Sequence, residues 1–264
     1  MRLIRPLLAL LWLAGSVAAQ SATGDALVYS AASIVHAATN QSGVLAPNTL
    51  ATVYGLNLSR ETRALGASDI QSGSLPSRLA GVTVAVNDIP AGLYFVSPRQ
   101  INFVVPGNLR PGPATIEISR DSRRGPSVRV ELEDTAPGFF EMPDRQVIAT
   151  RADGSLITQQ SPAIKGEVIV FYATGLGRTS SRPVLEHLRI PQTAQQVVNM
   201  PRLEHFLGGQ HVHSERILNA GLNPGFVGLY HINVVVPETI RGNLEVRLGL
   251  GDSFSPAGLT LPLD

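Results

Sequence analysis

The chain has 264 residues, 44% of them hydrophobic and 16% charged, which excludes an intrinsically disordered chain, a class poor in apolar residues and rich in charge. It has no cysteine, so disulfide frameworks, thiolate metal sites and cysteine nucleophiles are excluded. A formal net charge of +1 gives no electrostatic case for a nucleic-acid partner.

The opening segment carries a targeting pattern. Arg2 and Arg5 precede an uncharged apolar run from Leu7 to Leu13, and Val17-Ala18-Ala19 supplies the small residues read by signal peptidase. This predicts a Sec-type signal peptide over residues 1–19. The apolar run is shorter than the ~20 residues a spanning helix needs. No later segment reads as a stable membrane span of the mature chain. Loss of Arg2 and Arg5 with the signal takes the net charge from +1 to −1. The mature protein is expected in the periplasm, on the cell surface or in the medium.

Residues 20–33 are rich in Ala, Ser and Thr without a clear period, and read as an N-terminal lead. From Ile34 onward, short apolar runs alternate with Gly, Pro, Asn and Asp. In Gly81 to Val86, Ile101 to Val105, Ala114 to Ile118, Val128 to Leu132 and Leu244 to Leu248, apolar residues recur at every second position. That is the period of a half-buried strand. Asn87-Asp88 is a tight-turn candidate, although Asn-Gly makes such turns more easily. The best helical window, Pro191 to Val198, is weak. Many short strands at regular spacing predict a β-sandwich or barrel.

An internal repeat divides the chain. Ile101-Asn-Phe-Val-Val-Pro106 matches Ile232-Asn-Val-Val-Val-Pro237 at five of six positions. Ala51 to Leu58 resembles Ile169 to Leu176, and Ala114 to Ile118 answers Leu244 to Leu248, in the same order. The predicted fold class is all-β: two tandem β-sandwich domains after the signal peptide, over residues 34–134 and 137–264. A long polar loop at about 178–202 lies in the second. The hinge falls near Pro137-Gly138. Phe139 and Phe140 follow it, and two aromatics in an extended linker point to opposite sides. They are expected to pack the domains together, one ring entering each.

Leu45 to Leu58 resembles the opening of an IPT/TIG-type immunoglobulin-like domain. Further segments are Leu79-Ala-Gly-Val-Thr-Val84, Tyr94 to Pro106, Ala136-Pro-Gly-Phe-Phe140, Tyr172-Ala-Thr-Gly-Leu-Gly177 and Asn219 to Pro237. Together they resemble an uncharacterised exported family, the Solibacter-type C-terminal domain of Acidobacteria, over roughly residues 34–264. The resemblance implies architecture and export, with no reaction or cofactor. His36 and His231 stand where that family pattern leads one to expect Asn and Gln.

The sharpest candidate site is a histidine cluster, His205, His211 and His213, flanked by Glu204 and Glu215. Residues two apart on a strand share a face about 7 Å apart, so two imidazoles could converge on Zn²⁺. The bland reading is an exposed strand by the Gly208-Gly209 turn, and no metal is expected. The first repeat has Thr and Ala near the corresponding positions. No Gly-Xaa-Ser-Xaa-Gly elbow occurs in the mature chain, and Gly251-Asp252-Ser253 and Asp153-Gly154 read as turns. Glu131 and Glu133 read as a solvated strand edge rather than an acid/base pair. Tyr54 and Tyr172 read as core or corner residues. Asn102 and Asn233 are expected to bond backbone groups at a strand bend. The sequence thus predicts a non-enzymatic exported interaction or scaffolding protein whose partner is a protein or a surface glycan. The alternatives are a carbohydrate-binding surface module and a metal-binding protein or metal-dependent hydrolase using the histidines.

Overall fold

The computed structural model describes residues 24–179, 187–198, 200–240 and 244–264. The signal-peptide reading for residues 1–19 lies outside them. Among the described residues no helix is long and apolar enough to cross a membrane.

The first half contains β1 (Ile34–His36), β2 (Leu50–Tyr54), β3 (Arg63–Ala64), β4 (Arg78–Leu79), β5 (Val82–Val86), β6 (Ile89–Pro90), β7 (Gly92–Val96), β8 (Gln100–Val104), β9 (Gly112–Arg120), β10 (Arg123–Arg124) and β11 (Val128–Leu132). One sheet runs β1-β2-β8-β7-β3. The other runs β10-β9-β5-β4, with β11 on β9 and β6 on β5. Val82, Val84 and Val86 are fully buried while Thr83 and Ala85 are half-buried, the two-residue period of a strand with one face on a core. That core draws Val53 and Phe103 from one sheet and Val84 and Ile118 from the other, so the two sheets form a sandwich.

The second half contains β12 (Gly138–Phe139), β13 (Ala149–Arg151), β14 (Val168–Thr174), β15 (Gln195–Gln196), β16 (Leu203–Leu207), β17 (Gln210–Val212), β18 (Ile217–Leu222), β19 (Tyr230–Val235), β20 (Leu244–Leu250), β21 (Ser253–Phe254) and β22 (Leu259–Leu261). One sheet runs β12-β14-β19-β18-β15 and the other β17-β16-β20-β21. The repeated sequence blocks occupy matching places. β2 and β14, β8 and β19, and β9 and β20 are equivalent strands, each in the same pairing order. The chain is thus two tandem immunoglobulin-like β-sandwiches. Asn87 and Asp88 both have positive φ (47° and 62°) in the hairpin pairing Val86 with Ile89, as a two-residue type I′ turn requires. Gly251-Asp252 likewise closes the hairpin between Leu250 and Ser253.

The N-terminal lead is integral to the first sandwich from residue 24 onward, against the expectation of a separate segment up to residue 33. Leu27 and Tyr29 are buried in its core, and Val28 exchanges backbone hydrogen bonds with Leu56. The Asp25 carboxylate meets the buried Arg120 guanidinium at 2.7 Å. Ala26 to Tyr29 is too short a run for its alternation to register in sequence.

The long loop of the second sandwich is only partly polar in effect. Leu75 N–H donates to Leu188 O and Ile190 N–H to Gly73 O, so residues 188–190 lie antiparallel against the first sandwich. Residues 180–186 and 199 of that loop lie outside the described residues. Ile190 joins Leu75, Tyr94, Val104 and Val227 in an apolar cluster shared by both sandwiches. The Tyr94 hydroxyl donates to Val227 O and accepts from Val227 N–H at 2.9 and 3.0 Å.

Phe139 enters the core of the second sandwich. Phe140 enters a separate seam cluster with Ile148, Tyr172 and Leu229, against which Ala37 and Ala38 of the first sandwich pack. Both rings are buried, and each such burial contributes about 1.5–3 kcal/mol. The linker lies close on the second sandwich because Gly175, at φ +81°, has no side chain; a Cβ there would overlap Ala136 O. That accounts for a glycine in Tyr172-Ala-Thr-Gly175.

Candidate functional site

The histidine cluster does not converge. His205 pairs with Val212 and Phe206 with His211 across β16 and β17, so the His205 and His211 side chains leave opposite faces of the sheet. His205 is fully buried, its ring 4.8 Å from that of Phe171 and 5.8 Å from that of Phe139. His211 and His213 are exposed. Among the described residues no group of three His, Cys, Asp or Glu side chains could hold a metal ion. His205 and His211 lie on adjacent strands, whose register puts them on opposite faces, and His213 lies just beyond the end of β17.

Burial pushes the His205 imidazole down to about 3, and His211 acts in the same direction. Neither ring nitrogen has a hydrogen-bond partner. Glu131 is exposed on β11. The Asn102 oxygen accepts from the Gln100 side chain at 2.9 Å, and the Asn233 oxygen is buried without a partner. Neither oxygen takes the backbone group expected for it, because both side chains lie on the outer sheet face, two residues from a polar neighbour. Tyr172 is buried, its hydroxyl 3.1 Å from that of Thr150.

What the fold does build is a crevice of about 260 Å³ where the two sandwiches meet. The first sandwich supplies His36, Gln41 and Val44, the linker Glu133 and Pro137, and the β20–β21 hairpin Phe254. Val44 is 40% and Phe254 44% exposed, so two large apolar side chains stand at one opening. The Phe254 ring lies against Gly249, where a Cβ would come 2.7 Å from its Cε1. The Arg247 guanidinium stands over the ring at 5.4 Å, a cation–π distance. Phe206 contacts Phe254 on one side and His211 on the other, at 6.3 and 5.3 Å between ring centroids. An aromatic strip of Phe254, Phe206 and His211, with Arg247 beside it, therefore leads from the crevice across the outer face of β16, β17 and β20.

The crevice walls are held by hydrogen bonds. His36 Nε2–H donates to Ala136 O at 3.0 Å, and the Thr135 hydroxyl donates to Leu250 O at 3.1 Å. The Ser255 hydroxyl accepts from Leu248 N–H at 2.9 Å. Burial depresses the His36 imidazole to about 4, its bond to Ala136 opposing the shift. The crevice thus offers an aromatic face, a carboxylate, an amide and a neutral imidazole whose nitrogens are already engaged. Thr39, Thr135 and Ser253 add hydroxyl-bearing residues to the same walls. Sequence reasoning missed the crevice because its residues come from distant segments, joined only by the seam.

No family model matches the chain, and no curated protein matches it. Solved structures resemble it remotely. The Bacteroides ovatus SGBP-B of a mixed-linkage glucan utilization locus, solved with a mixed-linkage heptasaccharide, is 10% identical with a TM-score of 0.31. The match covers 84% of this chain and 42% of that one, so this chain spans less than half of it. Domains 5-6 of the S-layer protein SbsC are 12% identical over 90% of this chain and 98% of theirs, with a TM-score of 0.28. A titin tandem of immunoglobulin domains is 11% identical over 84% and 91%, with a TM-score of 0.22.

Proposed function

We propose that the chain is an exported, non-catalytic binding protein that takes its ligand at the crevice between the sandwiches. The carrying observation is the half-exposed Phe254 ring, which meets Val44, Gln41 and Glu133 at a crevice walled by both sandwiches. Pockets of this kind combine an apolar surface with a few polar groups that orient the ligand. Hydrogen bonds from His36 to Ala136 and from Thr135 to Leu250 join the walls. The signal-peptide pattern and the family resemblance support a place outside the cytoplasm, at the cell surface or beyond.

A surface glycan is the ligand class we favour over a protein. A pyranose has an apolar face of C–H groups, which suits the open side of Phe254, and equatorial hydroxyls, which suit Gln41 and Glu133. The test is a glycan array probed with the mature protein, followed by calorimetric titration of the parent and Phe254→Ala. Binding weakened at least tenfold by Phe254→Ala, with unchanged unfolding, is expected. An array without hits would remove the glycan reading. Saturable turnover on a hydrolase panel, abolished by one point substitution, would overturn the non-catalytic reading itself.

A further inference from the structure

His36 touches three parts of the chain at once. It ends β1 of the first sandwich, bonds Ala136 on the linker, and lies against Gly138 and Gly175 of the second sandwich. A Cβ on Gly138 would come 2.5 Å from His36 Cε1, and one on Gly175 3.0 Å from Nε2. The imidazole therefore fills a slot that only glycine leaves open.

Its hydrogen bonds fix a single tautomer. Nε2–H donates to Ala136 O, while Nδ1 accepts from both Ala38 N–H and Thr39 N–H at 3.2 Å. A second proton on Nδ1 would point at two donors. The charged ring can keep its slot only if both of those bonds break. Ala37 and Ala38 of the same turn pack on the Phe140, Tyr172 and Leu229 cluster. Loosening this turn therefore loosens the seam.

We propose that His36 is an acid-releasable latch between the two sandwiches, whose protonation frees the turn at residues 37–41 and opens the crevice. This goes beyond the binding function and does not depend on it.

The turn itself, Ala37 to Gln41, carries no charge, and neither do Gly138 and Gly175. Glu133 shares the crevice with His36. Asp134 follows it on the linker, and Asp252 belongs to the hairpin that carries Phe254, with Arg247 stacked on that ring. Burial, which dominates, disfavours the protonated ring, and the bond to Ala136 opposes that shift. The sign follows. The closed state holds His36 at about 4, whereas the released ring titrates near 6.5. Opening therefore takes up a proton below pH 6.5, and the effect saturates near pH 4. Between pH 7 and pH 5 the opening equilibrium rises about 20-fold.

Amide hydrogen exchange on the mature protein at pH 7 and pH 5, corrected for intrinsic exchange, reads the latch. Ala38 and Thr39 bond Nδ1, and Leu50 N–H donates across the seam to Thr174 Oγ1. Their protection should fall about 20-fold from pH 7 to pH 5, while the amides of β5 and β9 keep theirs. In His36→Asn the seam amides should not respond to pH. Unchanged seam protection in the parent would overturn the latch. So would an equal loss in β5 and β9, or the same loss in His36→Asn. Should that variant fail to fold, the carbon-bound ring proton of His36 in the parent decides by NMR. Titration near pH 4 supports the latch; titration near pH 6.5 overturns it.

Discussion

Replacing His205 with leucine should stabilise the protein, and more so as the pH falls. The ring is fully buried against Phe139 and Phe171, and neither nitrogen has a partner. The first repeat shows what the position accepts. Ile118 and Leu248 are equivalent, and Ile118 pairs with Val84 as Leu248 pairs with His205. Val84 is fully buried, so the fold places an apolar side chain here when it has one. A buried polar group without a partner costs about 1–3 kcal/mol, and that is the gain expected at pH 7. Protonation adds to it. Burial holds the folded-state imidazole at about 3, while the unfolded chain titrates near 6.5. Within that window the unfolded state binds the extra proton, so stability falls as pH falls. From pH 7 to pH 5 the loss for one such histidine is about 2 kcal/mol. Leucine does not incur it, so the gain at pH 5 should reach about 3–5 kcal/mol. Urea unfolding followed by far-ultraviolet circular dichroism at both pH values measures the difference. A leucine variant less stable than the parent at pH 7 would refute the reasoning, as would an identical gain at pH 7 and pH 5.

His231→Gln should raise stability by about 0.5–1.5 kcal/mol, seen as a higher urea midpoint at pH 7. It would give the buried Asn233 oxygen the donor that Gln100 gives Asn102 in the first repeat, a gain set against loss of the 2.8 Å bond between His231 Nε2 and the Asn219 side chain. Phe140→Ser should cost about 1.5–3 kcal/mol and raise the hydrogen exchange of Leu50 and Val227, whose amides cross the seam; slow exchange there would show that the ring is dispensable. Asp25→Ala should loosen residues 24–29, because it removes the carboxylate from the buried Arg120. Limited proteolysis should then cut before Tyr29 faster than in the parent.

The strands were legible because each sheet buries one face, and burial of one face imposes a two-residue period. Val82, Val84 and Val86 display it without interruption. The repeat was legible for the same reason: β8 and β19 each cross the middle of a sheet, where side-chain choice is narrow. The hairpins at Asn87-Asp88 and Gly251-Asp252 followed from turn chemistry alone. What could not be read depends on contacts between segments far apart in sequence. Nothing in Ala26 to Tyr29 shows that Leu27 and Tyr29 join a core, or in Leu188 to Ile190 that it lies along Leu75. The turn reading stopped at Gly251-Asp252-Ser253 and did not reach Phe254, whose exposure depends on where the hairpin lies against the linker. The histidines misled for a related reason. Spacing placed His205 and His211 near each other, but which side of the sheet each takes is set by the pairing of β16 with β20.

The two repeats act as an internal control on that last point. Where the first sandwich holds Val84, the second holds His205; where the first holds Gln100, the second holds His231. His205 leaves both ring nitrogens buried without partners, whereas His231 leaves only Nδ1 so and meets the Asn219 side chain through Nε2 at 2.8 Å. A third buried histidine, His36, has both nitrogens engaged, yet only while the ring is neutral. Burial lowers all three imidazoles, so all three oppose folding as the pH drops below 6.5, and none compensates another. Two of them sit in the second sandwich and the third at the seam. Among the described residues, His36 at the seam is the one buried histidine that the first sandwich carries. Histidine protonation therefore acts unevenly along this chain, weakening the second sandwich and the seam rather than the first core.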